Sequence, residues 1–139
     1  MSVAFARAGY NVTAADALTF PVMHARTRLL AEEPPAFLTF GSYLAALDWM
    51  RSIDPAPGYF HREFSEEGSP VNGRAPRLYF SGANAARIDA IRTGIKELRA
   101  ADELTEIEHS VLLHHLILGT NRVANITGTY GYFRRTMSG

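Results

Sequence analysis

Residues 81–123, SGANAARIDAIRTGIKELRAADELTEIEHSVLLHHLILGTNRV, are the stretch on which the fold turns. Ser81 is a capping residue type, and Ile88, Ile91, Ile95 and Leu98 follow it at three- and four-residue steps, which puts them on one helix face. Thr105 and Glu108 have the spacing of a capping box, in which each side chain satisfies a backbone N–H of the other residue at a helix start. Leu112, Leu116 and Val123 then line a second helix, with Leu113 and Ile117 beside them. Two amphipathic helices joined by a short turn predict an αα-hairpin.

Working outward, residues 59–64 and 77–80 are short aromatic runs that could pair as strands, and residues 66–75 between them are rich in turn formers and read as a surface excursion. Asp54-Pro55-Ala56-Pro57-Gly58 ends a helix whose face is Tyr43, Leu44, Leu47, Met50 and Ile53, and Glu33-Pro34-Pro35 breaks the chain before it. The opening reads as a short helix over residues 2–8 closed by Gly9, a β-prone run over 10–15 ending at Asp16, and a helix over 17–31 carrying Leu18, Val22, Ala25 and Leu29, with Pro21 in its first turn. The run at 10–15 is the one expected strand of buried character. A lone strand leaves its backbone groups unpaired, so either it pairs with 77–80 or the chain is a piece of something larger.

Composition bounds the chemistry. The 139 residues suit one core, and the absence of cysteine excludes disulfides, a thiolate nucleophile and zinc–thiolate sites, in keeping with a reducing cytoplasm. Fourteen basic side chains cancel fourteen acidic ones, so no global field draws a polyanion, but Arg122, Arg134 and Arg135 stand without an acid from residue 119 to the end. The most apolar run, 111–118, is interrupted by His114 and His115, and no membrane span is expected. His109, His114 and His115 are separated by five, six and one residues, whereas two ligands on one helix face need three or four, so no metal site is expected. Glu32 with Glu33 and Glu66 with Glu67 read as solvated pairs, and Arg92, Lys96 and Arg99 as a wet basic face. Asn125-Ile126-Thr127 has the glycosylation pattern, discounted for want of a secretory signal.

Residues 7–16 (RAGYNVTAAD), Tyr79-Phe80, residues 87–92 (RIDAIR), residues 121–125 (NRVAN) and residues 128–133 (GTYGYF) occur in an order that resembles the bacterial adenine-specific DNA methyltransferases. The most specific element is Asn-x-x-Gly-x-Tyr-Gly-x-Phe, residues 125–133, following a helix hairpin. The resemblance implies an α/β chain, predominantly helical as it stands: a partial Rossmann-like cofactor portion over residues 1–57 and a helical DNA-recognition insert over 58–139. It also implies transfer of a methyl group from S-adenosylmethionine to the exocyclic amino group of adenine in double-stranded DNA, as in restriction-modification. The family's Phe-x-Gly-x-Gly turn and Asp-Pro-Pro-Tyr motif occur nowhere in the 139 residues. The chain therefore reads as an internal fragment with no catalytic residue of its own, incomplete without them, which a second polypeptide would supply if the protein is split.

Under that resemblance Asp16, at the end of a strand, is placed to accept the ribose hydroxyls of the cofactor, with Ala17 and Leu18 flanking its adenine, while its plainer role is a helix cap. Residues 121–135 mix cations, aromatic faces and amides, as base extrusion requires, and name Arg122, Asn125, Tyr130, Tyr132, Arg134 and Arg135 as DNA-binding candidates. The alternative for the segment is that the aromatics pack the hairpin and the arginines are solvated. The alternative for the whole chain is a noncatalytic helical DNA-binding or protein-interaction module.

Overall fold

A computed structural model describes residues 2–29 and 34–137. Those residues are predominantly helical: α1 Ser2–Arg7, α2 Thr19–Leu29, a 3-10 turn Leu38–Phe40, α3 Tyr43–Ser52, α4 Tyr59–Phe64, α5 Gly82–Ala100 and α6 Glu106–Val123. The hairpin forms as its caps predict. The Ser81 hydroxyl accepts from Asn84 N–H, and Thr105 and Glu108 complete the reciprocal box. Gly9 closes α1 at φ 84°. Tyr10 N–H reaches back to Phe5 O, Gly9 N–H reaches Ala6 O, and the Phe5 and Tyr10 rings meet edge-on at 5.9 Å, which is the Schellman closure with its apolar contact.

The core is built where α5 and α6 cross. Ile88, Ile91, Ile95, Val111, Leu112 and Leu116 bury one side of the hairpin against Phe37, Ala46 and Met50, so residues on both sides of position 57 share one apolar cluster. Phe37 is fully buried despite a left-handed backbone, φ 50°, a conformation that costs a non-glycine residue on the order of 1–3 kcal/mol and that the burial of its ring offsets. The Glu108 carboxylate anchors the same turn. Burial pushes its pKa up, but hydrogen bonds from Thr105, Phe37 and Leu38 outweigh that and hold it below the usual carboxylate range. On the other side of α6, α2 lies with His24 facing His114 through their Nδ1 nitrogens and with Arg26 paired to Glu106.

The expected strands are corrected. Residues 59–64 are helical because Asp89, on α5, supplies the cap from a distance: its carboxylate accepts from the N–H groups of Gly58, Phe60 and His61 at 2.9, 2.9 and 2.8 Å. A Cβ on residue 58 would come within 2.9 Å of the Asp89 Cγ, so the close approach requires glycine. In the helix, the Phe60 and Phe64 rings meet at a tilt 5.6 Å apart, and Phe60 sits 6.0 Å from Phe80. Residues 77–80 form no named strand. Phe80 makes one parallel bridge to Ser65, and Tyr79 O accepts from Asn125 N–H. Residues 10–15 run without helix or strand, because the edge they would have joined at 77–80 is already taken by 64–66 and by Asn125. The excursion at 66–75 is turn-rich as expected, with Val71 N–H bonded to the Glu63 carboxylate at 3.3 Å. Residues 30 and 31 of the expected second helix, and Glu32 and Glu33, lie outside the described residues.

Candidate nucleic-acid interface

Beyond α6 the chain turns back on the hairpin through one side chain. Asn125 is buried, and its amide nitrogen donates to Leu78 O at 2.8 Å and to Arg134 O at 3.0 Å. Its backbone N–H donates to Tyr79 O at 2.8 Å, and Arg134 N–H returns to Asn125 O at 3.1 Å. With the antiparallel bridge between Ile126 and Phe133, these bonds close residues 127–132 into a projecting loop, and Gly128 supplies the turn at φ 120°.

The loop has a fixed side and a free side. Tyr130 donates its hydroxyl to Asn121 Oδ1 at 2.7 Å, its carbonyl accepts from the Tyr79 hydroxyl at 2.9 Å, and partial burial pushes its phenol pKa up. Phe133 packs edge-on against Tyr79 at 5.0 Å. Tyr132 is 78 % exposed, and Arg122, Arg134 and Arg135 are exposed, with no ion pair to any of them among the described residues. The segment thus exposes one largely free aromatic ring, Tyr132, and three guanidinium groups, Arg122 at the end of α6 and Arg134 and Arg135 after the loop, residue types suited to phosphate contacts and to a base face. Of the residues singled out in this segment, Arg122, Tyr132, Arg134 and Arg135 reach solvent, Tyr130 does so in part, and the Asn125 amide nitrogen is spent inside the fold. Asn125→Ala is expected to cost about 2 kcal/mol and free the loop, since it leaves the Leu78 and Arg134 carbonyls without their shared side-chain donor. Unfolding in urea together with amide exchange of residues 126–134 checks this; unchanged exchange would refute it.

Asp16 is exposed and its Oδ1 accepts from Leu18 N–H at 2.9 Å, the turn-and-cap geometry. Ala17 is exposed beside it, and neither Asp16 nor Ala17 lines the hollows of about 660 and 630 Å³ formed against α5 and α6. Among the described residues there is no group of three or more side chains suited to a metal ion, and no helix is long and apolar enough to cross a membrane.

Asp89 and Asn121 carry structural weight that sequence reasoning did not assign, and both sit in the resembling runs at 87–92 and 121–125, which was a usable signal.

No family model and no solved structure matches the chain. It is similar to the modification methylase LlaI of Lactococcus lactis subsp. lactis, 30% identical over 129 residues, covering 89% of this chain and 20% of that protein. It is also similar to the modification methylase StsI of Streptococcus sanguinis, 29% identical over 129 residues, with 89% and 19% covered. The type II methyltransferase M.FokI of Planomicrobium okeanokoites is 38% identical over 65 residues, 47% of this chain and 10% of that protein. The chain spans about a fifth of the length of the first two of these curated relatives. Its residue string and these relatives support a DNA methyltransferase family, that of the type II modification methylases, of which the chain matches one segment.

Proposed function

We propose that the chain is the DNA-facing part of an adenine-specific DNA methyltransferase, one that moves a methyl group from S-adenosylmethionine to the exocyclic amino group of adenine in duplex DNA. Residues 58–139 act as the recognition insert, and residues 1–57 contribute a partial cofactor portion. The observation that carries this reading is the loop at 127–132, closed by Asn125 and the Ile126–Phe133 bridge and exposing Tyr132, with Arg122, Arg134 and Arg135 exposed in the segments that flank it. Support for the adenine reading comes from the Asn-x-x-Gly-x-Tyr-Gly-x-Phe string.

Turnover needs residues that these 139 do not include, whether in the same polypeptide or a second one, because no Asp-Pro-Pro-Tyr is present to hold an extruded adenine. S-adenosylmethionine would meet this chain at Asp16 and Ala17, which are exposed, with Leu18 beside them. Each is an assignment for the assembled enzyme.

Two measurements test the reading. In a duplex-binding titration across salt concentrations, Arg134→Ala with Arg135→Ala is expected to weaken binding about 10-fold and to lower the slope of log K against log salt by about 2, one for each lost phosphate contact. An unchanged slope would remove both arginines from the interface. Incubated alone with tritiated S-adenosylmethionine and adenine-containing duplex, the wild-type chain is expected to transfer no label, and label in DNA would show that the chain holds a complete site.

A further inference from the structure

The hollow of about 660 Å³ lies between α4, α5 and the C-terminal half of α6, directly beneath the projecting loop. Its walls are aromatic. Phe64 and Tyr79 stand 6.1 Å apart and nearly perpendicular, and Tyr130 closes the near side with its ring 6.3 Å from Tyr79 at a shallow 34° angle. Its lining is cationic as well: Arg77 lies over the Phe64 ring at 5.5 Å, and the exposed Arg92 also lines the hollow. Neither arginine has an ion-pair partner among the described residues, and Glu63, whose charge Arg77 also feels, is already held by Arg62 at 2.9 Å. Asn121 lines the hollow with its Oδ1 occupied by the Tyr130 hydroxyl, which leaves its amide nitrogen to donate.

An apolar hollow of this size with convergent polar groups is the form a small planar ligand selects. Aromatic walls favour a flat ring, the two guanidinium groups favour a phosphate attached to it, and a lone amide donor suits a base edge. An apolar peptide would leave both cations without a function, so the observations favour a nucleotide. We propose that this hollow is a single-base site: it takes one unstacked nucleobase of bound DNA against the aromatic wall of Phe64, Tyr79 and Tyr130, with the adjoining phosphate on Arg77 and Arg92. The site rests on the DNA-facing reading above, and it is separate from the place where methyl transfer occurs, since the chain contains no motif to perform it.

The test compares three probes by equilibrium binding to the full chain: a fully paired duplex, the same duplex with one bulged nucleotide, and a free nucleoside 5′-monophosphate. An unpaired base has already lost its stacking, so the bulged duplex is expected to bind at least about 10-fold tighter than the paired one. Ile117→Trp, which fills the hollow from α6, is expected to erase that preference and leave the paired duplex within about 2-fold. Arg92→Ala, at an exposed position that folding does not use, is expected to reduce the preference at least about 5-fold, so the proposal stands testable even if the tryptophan variant misfolds. Equal binding of paired and bulged duplexes, or a preference that survives both substitutions, overturns the single-base site while the DNA reading stands. A mononucleotide that binds more tightly than the bulged duplex overturns DNA as the source of the base. Failure of both duplexes to bind overturns the DNA reading itself, and the site with it.

Discussion

Asp89→Ala is expected to destabilise the fold by about 3 kcal/mol, because one buried carboxylate satisfies three backbone donors that no other group can reach, and charge-assisted hydrogen bonds are the stronger kind. Asp89 is 5 % exposed. Removing it leaves the N–H groups of Gly58, Phe60 and His61 without an acceptor and opens a space beside α5, and α4 is too short to hold its helical form without the cap. The three bonds do not add in full, since the freed amides regain some water once α4 frays. Asp89→Asn keeps the shape but offers one acceptor oxygen and turns an amide donor toward N–H groups, so an intermediate loss of about 2 kcal/mol is expected. Urea unfolding followed by circular dichroism checks both. A loss under about 1 kcal/mol for the alanine variant would mean that α4 is held by its aromatic packing and not by the cap. Loss of α4 also removes Phe60 and Phe64 from the wall of the hollow, so the same variant is expected to weaken binding of the bulged duplex.

The second large effect is of pH. Burial first, then the neighbouring His24, His115 and Arg28, lowers the His114 pKa from 6.5 to about 4. A histidine whose folded pKa is depressed binds fewer protons in the native state than in the unfolded one between those two values, so its contribution to stability is complete above pH 6.5 and is lost as pH falls toward 4. The shift corresponds to a loss of roughly 2–3 kcal/mol over that window, and burial likewise depresses His109 and His115, which act in the same direction. The carboxylates held low, Glu63, Glu106 and Glu108, lose their contributions only below about their ordinary 4.5, so the slope between pH 6.5 and 4.5 belongs to the histidines. Structurally, protonation places a charge on the buried His114 ring where α2 meets α6, with Arg28 nearby. His114→Phe, which retains a ring against His24, is expected to flatten most of that slope when melting temperature is followed from pH 7 to pH 4.5. A slope unchanged in the variant would assign the acid lability to other groups.

The hairpin, α3 and the Gly9 closure were legible in the residues because they depend on groups near each other in sequence. Capping pairs such as Thr105 with Glu108 lie three residues apart, and periodic faces such as Ile88, Ile91 and Ile95 need only a buried side to lie against. The candidate residues Arg122, Tyr132, Arg134 and Arg135 show in the sequence as a mixture of charge and aromatic surface, and the structure exposes all four, while the string at 125–133 coincides with the loop. What the sequence alone could not show was where distant backbone donors find their acceptors. The aromatic run at 59–64 has strand-like composition, and only the arrival of Asp89 from α5 makes it a helix. Residues 10–15 have β propensity, but a strand needs an edge, and the one at 77–80 is filled by Phe64, Glu66 and Asn125. Asn125 carried the same ambiguity between ligand and organiser, decided by two carbonyls at Leu78 and Arg134 that no spacing rule connects to it. Local chemistry determined which segments could be helices and which residues could meet DNA; long-range hydrogen bonding and burial decided which of those possibilities were used, because a polar group removed from water must be satisfied by whatever the fold brings to it.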